Sequence, residues 1–221
     1  MFRLLENRPL VPNLHLAVLA APEVAAAARP GQFVILRPGE ESERIPLSIS
    51  DWDARQGTVS VVYMVVGKTT AELAALPAGA RVATVAGPLG NPMELGQFGH
   101  VACVGGCYGI ASLYPVARAL KQLGNRVTFV IEARSDTLLF WLPRLKAGNA
   151  EVSGWRGQRR TGGGIPDIEV IQAVGENIPL VRIHRSVSIG VGQAHSTWTP
   201  CGEPGTAHAQ PIHVVENIIG S

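Results

Sequence analysis

The chain has 221 residues, of which 46% are apolar and 16% charged, with a formal net charge of +2. That length suits two small domains with a sizeable core, and the composition excludes a disordered chain. The longest basic run is Arg159 and Arg160, which argues against a nucleic-acid partner, and no apolar run is long enough to span a bilayer.

Residues 1–12, "MFRLLENRPLVP", carry charges and lack the long apolar core of a signal peptide. Three cysteines, Cys103, Cys107 and Cys201, do not make a disulfide framework. The expected compartment is therefore the cytoplasm, with reduced thiols.

The first hundred residues read as β structure. "LHLAVLAA", "QFVILRP", "GTVSVVYMVV" and "ARVATVAGPLG" are short, apolar and rich in β-branched residues. Turn signals separate them, among them Pro30 with Gly31, Pro38 with Gly39, and Gly57. Short strands at this spacing predict an antiparallel barrel or sandwich. Residues 68–76, "KTTAELAAL", are the one helical insertion predicted here, with Thr69 or Thr70 as N-cap.

The pattern changes near Gly99. "HVACVGG" is a buried-strand run, "IASLYPVARALKQLG" has helical apolar spacing and ends at Gly124, and "RVTFVIEAR" is a second strand. Together they predict a βαβ unit on a parallel sheet, with a domain boundary near 97–100. "DTLLFWLPRL" reads as a short helix. Beyond about residue 150, 165–179 is a helix candidate, "VSIGVGQ" a strand candidate and "AHSTWTPCGEPGTAHAQP" a loop.

Four stretches carry chemistry. "GGCYGIAS" takes a strand into a helix through Gly105 and Gly106. Such a turn presents backbone N–H groups and the helix dipole to a phosphate. It lacks the full G-x-G-x-x-G pattern, so a plain tight turn explains it equally well. Cys107 is then either a small packed residue or a thiol activated by the helix end. "ERIPLSIS" is an extended run after a charged loop, and on its own an ordinary strand start. "VVGKTT" opens a helix where Lys68, two hydroxyls and backbone N–H groups can hold a pyrophosphate, or where a helix is simply capped. "AGPLGNP" on its own is a Pro/Gly turn.

Taken together and in order, "PGQFVILRP", "RIPLSIS", "VGKTT", "GPLGNP", "VGGCYGIASLYPVARAL" and "EARSDTLLF" resemble the ferredoxin–NADP reductase superfamily. The resemblance is to its electron-transfer subunits, which serve dihydroorotate dehydrogenase, NADH-dependent ferredoxin:NADP oxidoreductase and sulfhydrogenases. It covers roughly the first two-thirds of the chain. It implies an antiparallel β-barrel binding FAD over 1–98 and a Rossmann-like parallel α/β domain binding NAD(P)H over 99–221. The second domain is expected to be incomplete or divergent from about 150.

The resemblance places Pro46, Leu47 and Ser48 against the flavin ring, with Arg44 as a phosphate ligand. It places Gly67, Lys68, Thr69 and Thr70 near the FAD pyrophosphate. Gly105, Gly106, Cys107 and Gly109 fall in the nicotinamide-nucleotide turn, and Glu132 and Arg134 flank the adenosine. The implied activity is NAD(P)H-dependent reduction of FAD by hydride transfer, with single electrons passed to a catalytic or flavoprotein partner subunit. No side chain need act as acid or base, because the cofactors carry the chemistry.

The chain departs from that pattern in named places. The branch has a third glycine where Cys107 stands and a small or β-branched residue at Tyr108. The superfamily's flavin arginine falls at Ile45, with Arg44 one step earlier. The branch binds a [2Fe–2S] centre near its C-terminus, for which four ligands are needed, and only Cys201 follows the βαβ unit. No cluster is therefore expected here. The spacing of His195, Cys201, His208 and His213 matches no zinc pattern, which leaves them as loop residues. The alternative function is a non-catalytic scaffold subunit with a degraded nucleotide site.

Overall fold

The structure is a computed structural model. It describes residues 1–106, 108–133, 136–147, 151–156, 168–169, 182–183, 195–198 and 212–216, with side chains up to residue 146 except those of Glu132 and Asp136. Cys107, Arg134, Cys201 and His208 lie outside the described residues, as does the strand expected at "VSIGVGQ".

Two compact units are present. One comprises Met1–Glu94 with Ala111–Ala119, the other Leu95–Ile110 with Leu120–Ser221. The first is built from β1 (Phe2–Val11), β2 (Leu14–Ala20), α1 (Pro22–Ala27), β3 (Phe33–Arg37), β4 (Ile45–Asp53), β5 (Thr58–Met64), α2 (Lys68–Ala75), β6 (Arg81–Val82) and β7 (Thr84–Leu89). Its seven strands form one curled antiparallel sheet in the order β6-β1-β2-β5-β4-β3-β7. Alternation along each strand sends one set of side chains inward. Leu4, Leu19, Val34, Leu36, Ile49, Val59, Val61 and Leu73 meet there as a closed apolar core. Burial of such side chains, each worth about 1.5–3 kcal/mol, is the main force holding the sheet curled.

The sequence did not announce two of these elements. β1 is masked in the sequence by charged and proline positions, and it is edge-like, pairing with β6 only at Phe2 and Arg3. The helix α1 is a single short piece with Pro22 at its start and two buried residues, Val24 and Ala25. Its alanines carry little periodic signal.

The second unit holds β8 (His100–Gly106), β9 (Arg126–Ala133), a 3₁₀ turn (Asp136–Leu138), α4 (Leu142–Ala147), β10 (Glu151–Arg156), β11 (Ile168–Glu169), β12 (Arg182–Ile183), β13 (His195–Trp198) and β14 (Ile212–Glu216). The helix α3 (Gly109–Gln122) joins β8 to β9. The main sheet runs β10-β9-β8-β14-β13, parallel throughout except for β13. β8 reads as a continuous apolar run because Val101, Ala102 and Cys103 are all buried, as parallel strands covered on both faces require.

Two expectations past residue 150 change. Ile168 and Glu169, inside the expected helix, form β11 paired with β12, and His195–Trp198, read as loop, forms β13 against β14. Pairing to a partner far along the chain decides both, and local propensity does not report it.

Candidate functional site

The first cluster is built on β4. Ile45 and Leu47 pack against the barrel core and Ile49 is buried in it, so the alternate residues face outward. Pro46 is exposed and Ser48 half-buried on that outer side, and Arg44, just before the strand, is also exposed. Positions 44, 46 and 48 therefore share parity, whereas position 45 turns into the core. An arginine at 45 would place its charge against Leu36, its register partner in β3 and a fully buried residue. Arg44 keeps the guanidinium in water. Leu47, expected against the flavin along with its neighbours, has its side chain on the core face.

The second cluster is the start of α2. The N-cap is Gly67, not Thr69 or Thr70. Thr70 caps from the third helical position: its hydroxyl accepts from the N–H groups of Val66 and Gly67, both at 3.0 Å, and donates to the Gly67 carbonyl at 2.9 Å. Thr69 shares the buried face with Leu73; it is only 4% exposed and its hydroxyl oxygen has no partner. A Cβ built on Gly67 would meet nothing within 4 Å, so the backbone there is open to approach. Lys68 is exposed, with its ammonium 3.9 Å from Glu72. A helix start with orphan N–H groups, open backbone and a nearby cation is chemically suited to an anion such as a diphosphate.

The loop before β4 ties these clusters together. The Ser42 hydroxyl donates to the Glu72 carboxylate at 2.7 Å and accepts from Gly39 N–H at 3.0 Å. It fixes the segment leading to Arg44 beside α2. Asn7 anchors the other end of the helix, donating to the carbonyls of Leu73 and Leu76 at 2.8 Å each while accepting from the Tyr63 hydroxyl at 3.0 Å. Burial pushes the Tyr63 phenol well above its ordinary value, with the Asn7 hydrogen bond pulling the other way. Ser42, Glu72 and Asn7 escaped the sequence reading because each acts across a long separation.

The third cluster lies in the second unit, at the carboxyl edge of its parallel sheet. Gly105 is buried, Gly106 is exposed at the end of β8, and Gly109 opens α3. Gly106 is in register with Glu132, and Glu132 with Trp155. The chain runs from β8 to β9 and β10 on one side and returns as β14 on the other. The point where strand order reverses is thus at β8, and open α/β sheets bind ligands at the carboxyl ends of strands there. Tyr108 is half-buried in the turn itself. Within β8, Cys103 is buried and burial pushes its thiol up to about 12, so it remains protonated at neutral pH.

Among the described residues no group of three or more His, Cys, Asp or Glu side chains is placed to hold a metal, and no helix is long and apolar enough to cross a membrane. A four-thiolate iron–sulfur centre does not fit this chain, which has three cysteines, one of them sealed in β8.

No protein-family model matches the chain. The chain is 47% identical over 126 residues to a Thermotoga maritima homolog of the electron transfer subunit of dihydroorotate dehydrogenase B (NAD⁺), a match covering 57% of this chain and 45% of the relative. It is 34% identical over 147 residues to the corresponding Bacillus caldolyticus subunit, covering 63% of this chain and 57% of that one. A chain of the NADH-dependent reduced ferredoxin–NADP oxidoreductase superposes with a TM-score of 0.67 at 38% identity, over 70% of this chain and 56% of that one. Phthalate dioxygenase reductase superposes at 0.59 with 13% identity, over 74% and 53%, which speaks to fold alone. The chain spans about half the length of the curated relatives it matches. These similarities are to the ferredoxin–NADP reductase superfamily, in the branch of electron-transfer subunits that includes those of dihydroorotate dehydrogenase B.

Proposed function

We propose that this chain is the FAD-binding electron-transfer subunit of a multi-subunit oxidoreductase. In this reading residues 1–98 form the flavin domain and 99–221 the NAD(P)H domain, and a catalytic partner subunit receives the electrons. The observation that carries the reading is the outward row Arg44, Pro46 and Ser48, fixed beside the open start of α2 by the Ser42–Glu72 hydrogen bond. That arrangement offers a planar ring an apolar and hydroxyl-bearing strand face, and offers a diphosphate a helix end that carries Lys68.

Flavin supplies the step between two-electron and one-electron carriers, which is why it suits a subunit that links a nicotinamide nucleotide to a redox partner. The residues bind and orient. Backbone N–H groups of Lys68, Thr69 and Thr70 take the diphosphate, with Arg44 and Lys68 balancing its charge. Thr70 holds the helix start rigid. Thr69 acts through its backbone, since its side chain faces inward. At the second site Gly105, Gly106 and Gly109 let the nicotinamide nucleotide approach the backbone closely. Cys107, Glu132 and Arg134 complete that site in the reading.

The test is the visible absorption spectrum of the purified protein, with and without added FAD, followed by anaerobic NADH or NADPH. A flavin spectrum that bleaches on addition of either nucleotide is the expected result. A colourless protein that takes up no FAD would sink the reading. A second reading, a non-catalytic scaffold subunit, draws on Tyr108 in the nucleotide turn. Under it the bound flavin does not bleach, and Tyr108→Gly does not restore bleaching.

A further inference from the structure

The outer face of the barrel carries two aromatic or aliphatic residues that the sequence motifs left without a role. Along β3 the burial alternates: Val34 and Leu36 are fully buried in the core, whereas Phe33, Ile35 and Arg37 are only partly buried. Neither Phe33 nor Ile35 belongs to the core cluster. The register of β3 with β4 sets Phe33 opposite Ser48 and Ile35 opposite Pro46. Directly opposed residues on one face of an antiparallel pair have Cβ atoms roughly 4.5–5.5 Å apart. Phe33 and Ile35 thus stand shoulder to shoulder with the two outward residues of the "RIPLSIS" strand.

The Phe33 ring is also held from its other side. On β7 its register partner is Leu89. The turn that follows brings Gly90, at φ +80°, so close that a Cβ there would lie 3.0 Å from Phe33 Cε1 and 3.1 Å from Cδ1. Gln32 fixes that turn, donating from Nε2 to the Gly90 carbonyl at 2.9 Å. At Gly87 a Cβ would meet Val34 Cγ1 at 2.9 Å and the Phe33 carbonyl at 3.2 Å. Two glycines of "GPLGNP" therefore let β7 and its turn close on β3: Gly87 on its backbone and Val34, and Gly90 on the Phe33 ring, which a side chain at Gly90 would displace. A partly exposed aromatic ring held this firmly, in line with Pro46 and Ser48, is a preorganised platform.

We propose that Phe33 and Ile35 form, with Pro46, the apolar platform that receives the flavin ring system, and that the turn at Gly90 positions the Phe33 ring. The proposal rests on the FAD reading above and gives a role in it to residues that the motifs left without one. Phe33 is a binding residue in this scheme; Gly90 and Gln32 are positioning residues that act through it.

The experiment is FAD titration of the apoprotein, read by flavin fluorescence quenching and by visible circular dichroism, for the parent chain and for Phe33→Leu, Phe33→Ala and Ile35→Ala. Thermal melts of the apo forms confirm folding. Phe33→Ala is expected to weaken FAD about tenfold or more and to change the flavin dichroism, as loss of an aromatic contact does. Phe33→Leu keeps the bulk against Gly90, so it should melt like the parent yet restore quenching only in part. A parent chain that binds no FAD would bring down the FAD reading and this proposal together. A parent chain that binds FAD, with Phe33→Ala and Ile35→Ala matching its affinity and dichroism, would overturn this proposal alone.

Discussion

The Ser42 hydroxyl donates to the Glu72 carboxylate at 2.7 Å, joining the loop before β4 to the second turn of α2. Glu72 also lies 3.9 Å from the Lys68 ammonium. One carboxylate thus holds the approach to Arg44 on one side and steadies a helix-start cation on the other. The exposed ion pair itself is worth little, at most about 1 kcal/mol. Its value is geometric.

Ser42→Ala removes the bond to Glu72 and the one accepted from Gly39. The expected cost to stability is about 1 kcal/mol, typical of a part-buried polar contact. The expected cost to FAD binding is larger in proportion, roughly a fivefold rise in Kd, since the Arg44 segment loses its tether. Parallel urea unfolding and FAD titration check this. Unchanged Kd with lowered stability would show that the loop does not need the tether to bind.

How much of this was legible beforehand depends on the range of the interaction. The strands β2, β3 and β5 and the helix α2 follow from alternation, β-branched content and turn residues close in sequence. The "RIPLSIS" parity was also there to be read: counting back from Ser48 by twos reaches Arg44 and skips Ile45. What sequence cannot give is which face the core takes, and that fixed Leu47 inward and Pro46 outward. The N-cap was misplaced because Thr70 caps backwards onto Gly67, a pattern that looks like two candidate caps in the sequence. Phe33 was quoted within a motif, yet its role emerged only from register with Ser48 and contact with Gly90, residues from distant segments.

Asn125 should be a sensitive polar residue among the described residues of the second unit. It is 4% exposed, and its Oδ1 accepts from Phe98 N–H at 2.6 Å and Gly99 N–H at 3.0 Å, while Nδ2 donates to the Gly96 and Leu120 carbonyls. One side chain so pins the segment entering β8 to the end of α3. Asn125→Ala removes four side-chain hydrogen bonds, although the Leu120 carbonyl keeps the N–H of residue 125, and is expected to cost about 2–4 kcal/mol. Asn125→Asp keeps both accepted bonds and loses both donated ones, so it should fall between. Denaturant midpoints for the two variants test the order, and an alanine variant as stable as the parent would refute it.

Stability should fall at alkaline pH, in part through Cys103. Burial raises its thiol from an ordinary value of 9.0 to about 12. The folded chain therefore keeps a proton that the unfolded chain releases near pH 9. The stabilisation is complete below that pH and is lost as pH climbs toward 12, at about 1.4 kcal/mol per unit. Tyr63 is shifted in the same direction by burial, so the comparison must isolate the thiol. Cys103→Ala should lose less stability between pH 9 and 10.5 than the parent, in unfolding curves taken at each pH. Parallel slopes for the two would mean that Cys103 does not carry the effect. In a Cys107→Ser, Cys201→Ser background, the native protein should also resist a thiol reagent at pH 8 and react once unfolded.

Arg118 makes a partly buried ionic contact within the first unit. Its Nη1 lies 2.6 Å from Asp51 Oδ1, and its guanidinium sits 5.1 Å from the Trp52 ring centroid and 5.8 Å from that of Tyr114. The carboxylate side chain is only 16% exposed, which lifts the pair above an ordinary surface ion pair. Planar stacking and a directed N–H bond both require a guanidinium. Arg118→Ala is expected to cost about 2–3 kcal/mol, part of it from leaving Asp51 half-buried without this partner. Arg118→Lys keeps the charge but loses the stacked plane, so it should recover less than half of that loss. Asp51→Asn with Arg118→Ala, compared with each single change, gives the coupling between them. A coupling near zero would reduce the contact to coincidental proximity, while one above about 1 kcal/mol would establish that α3 is held to β4 by this pair.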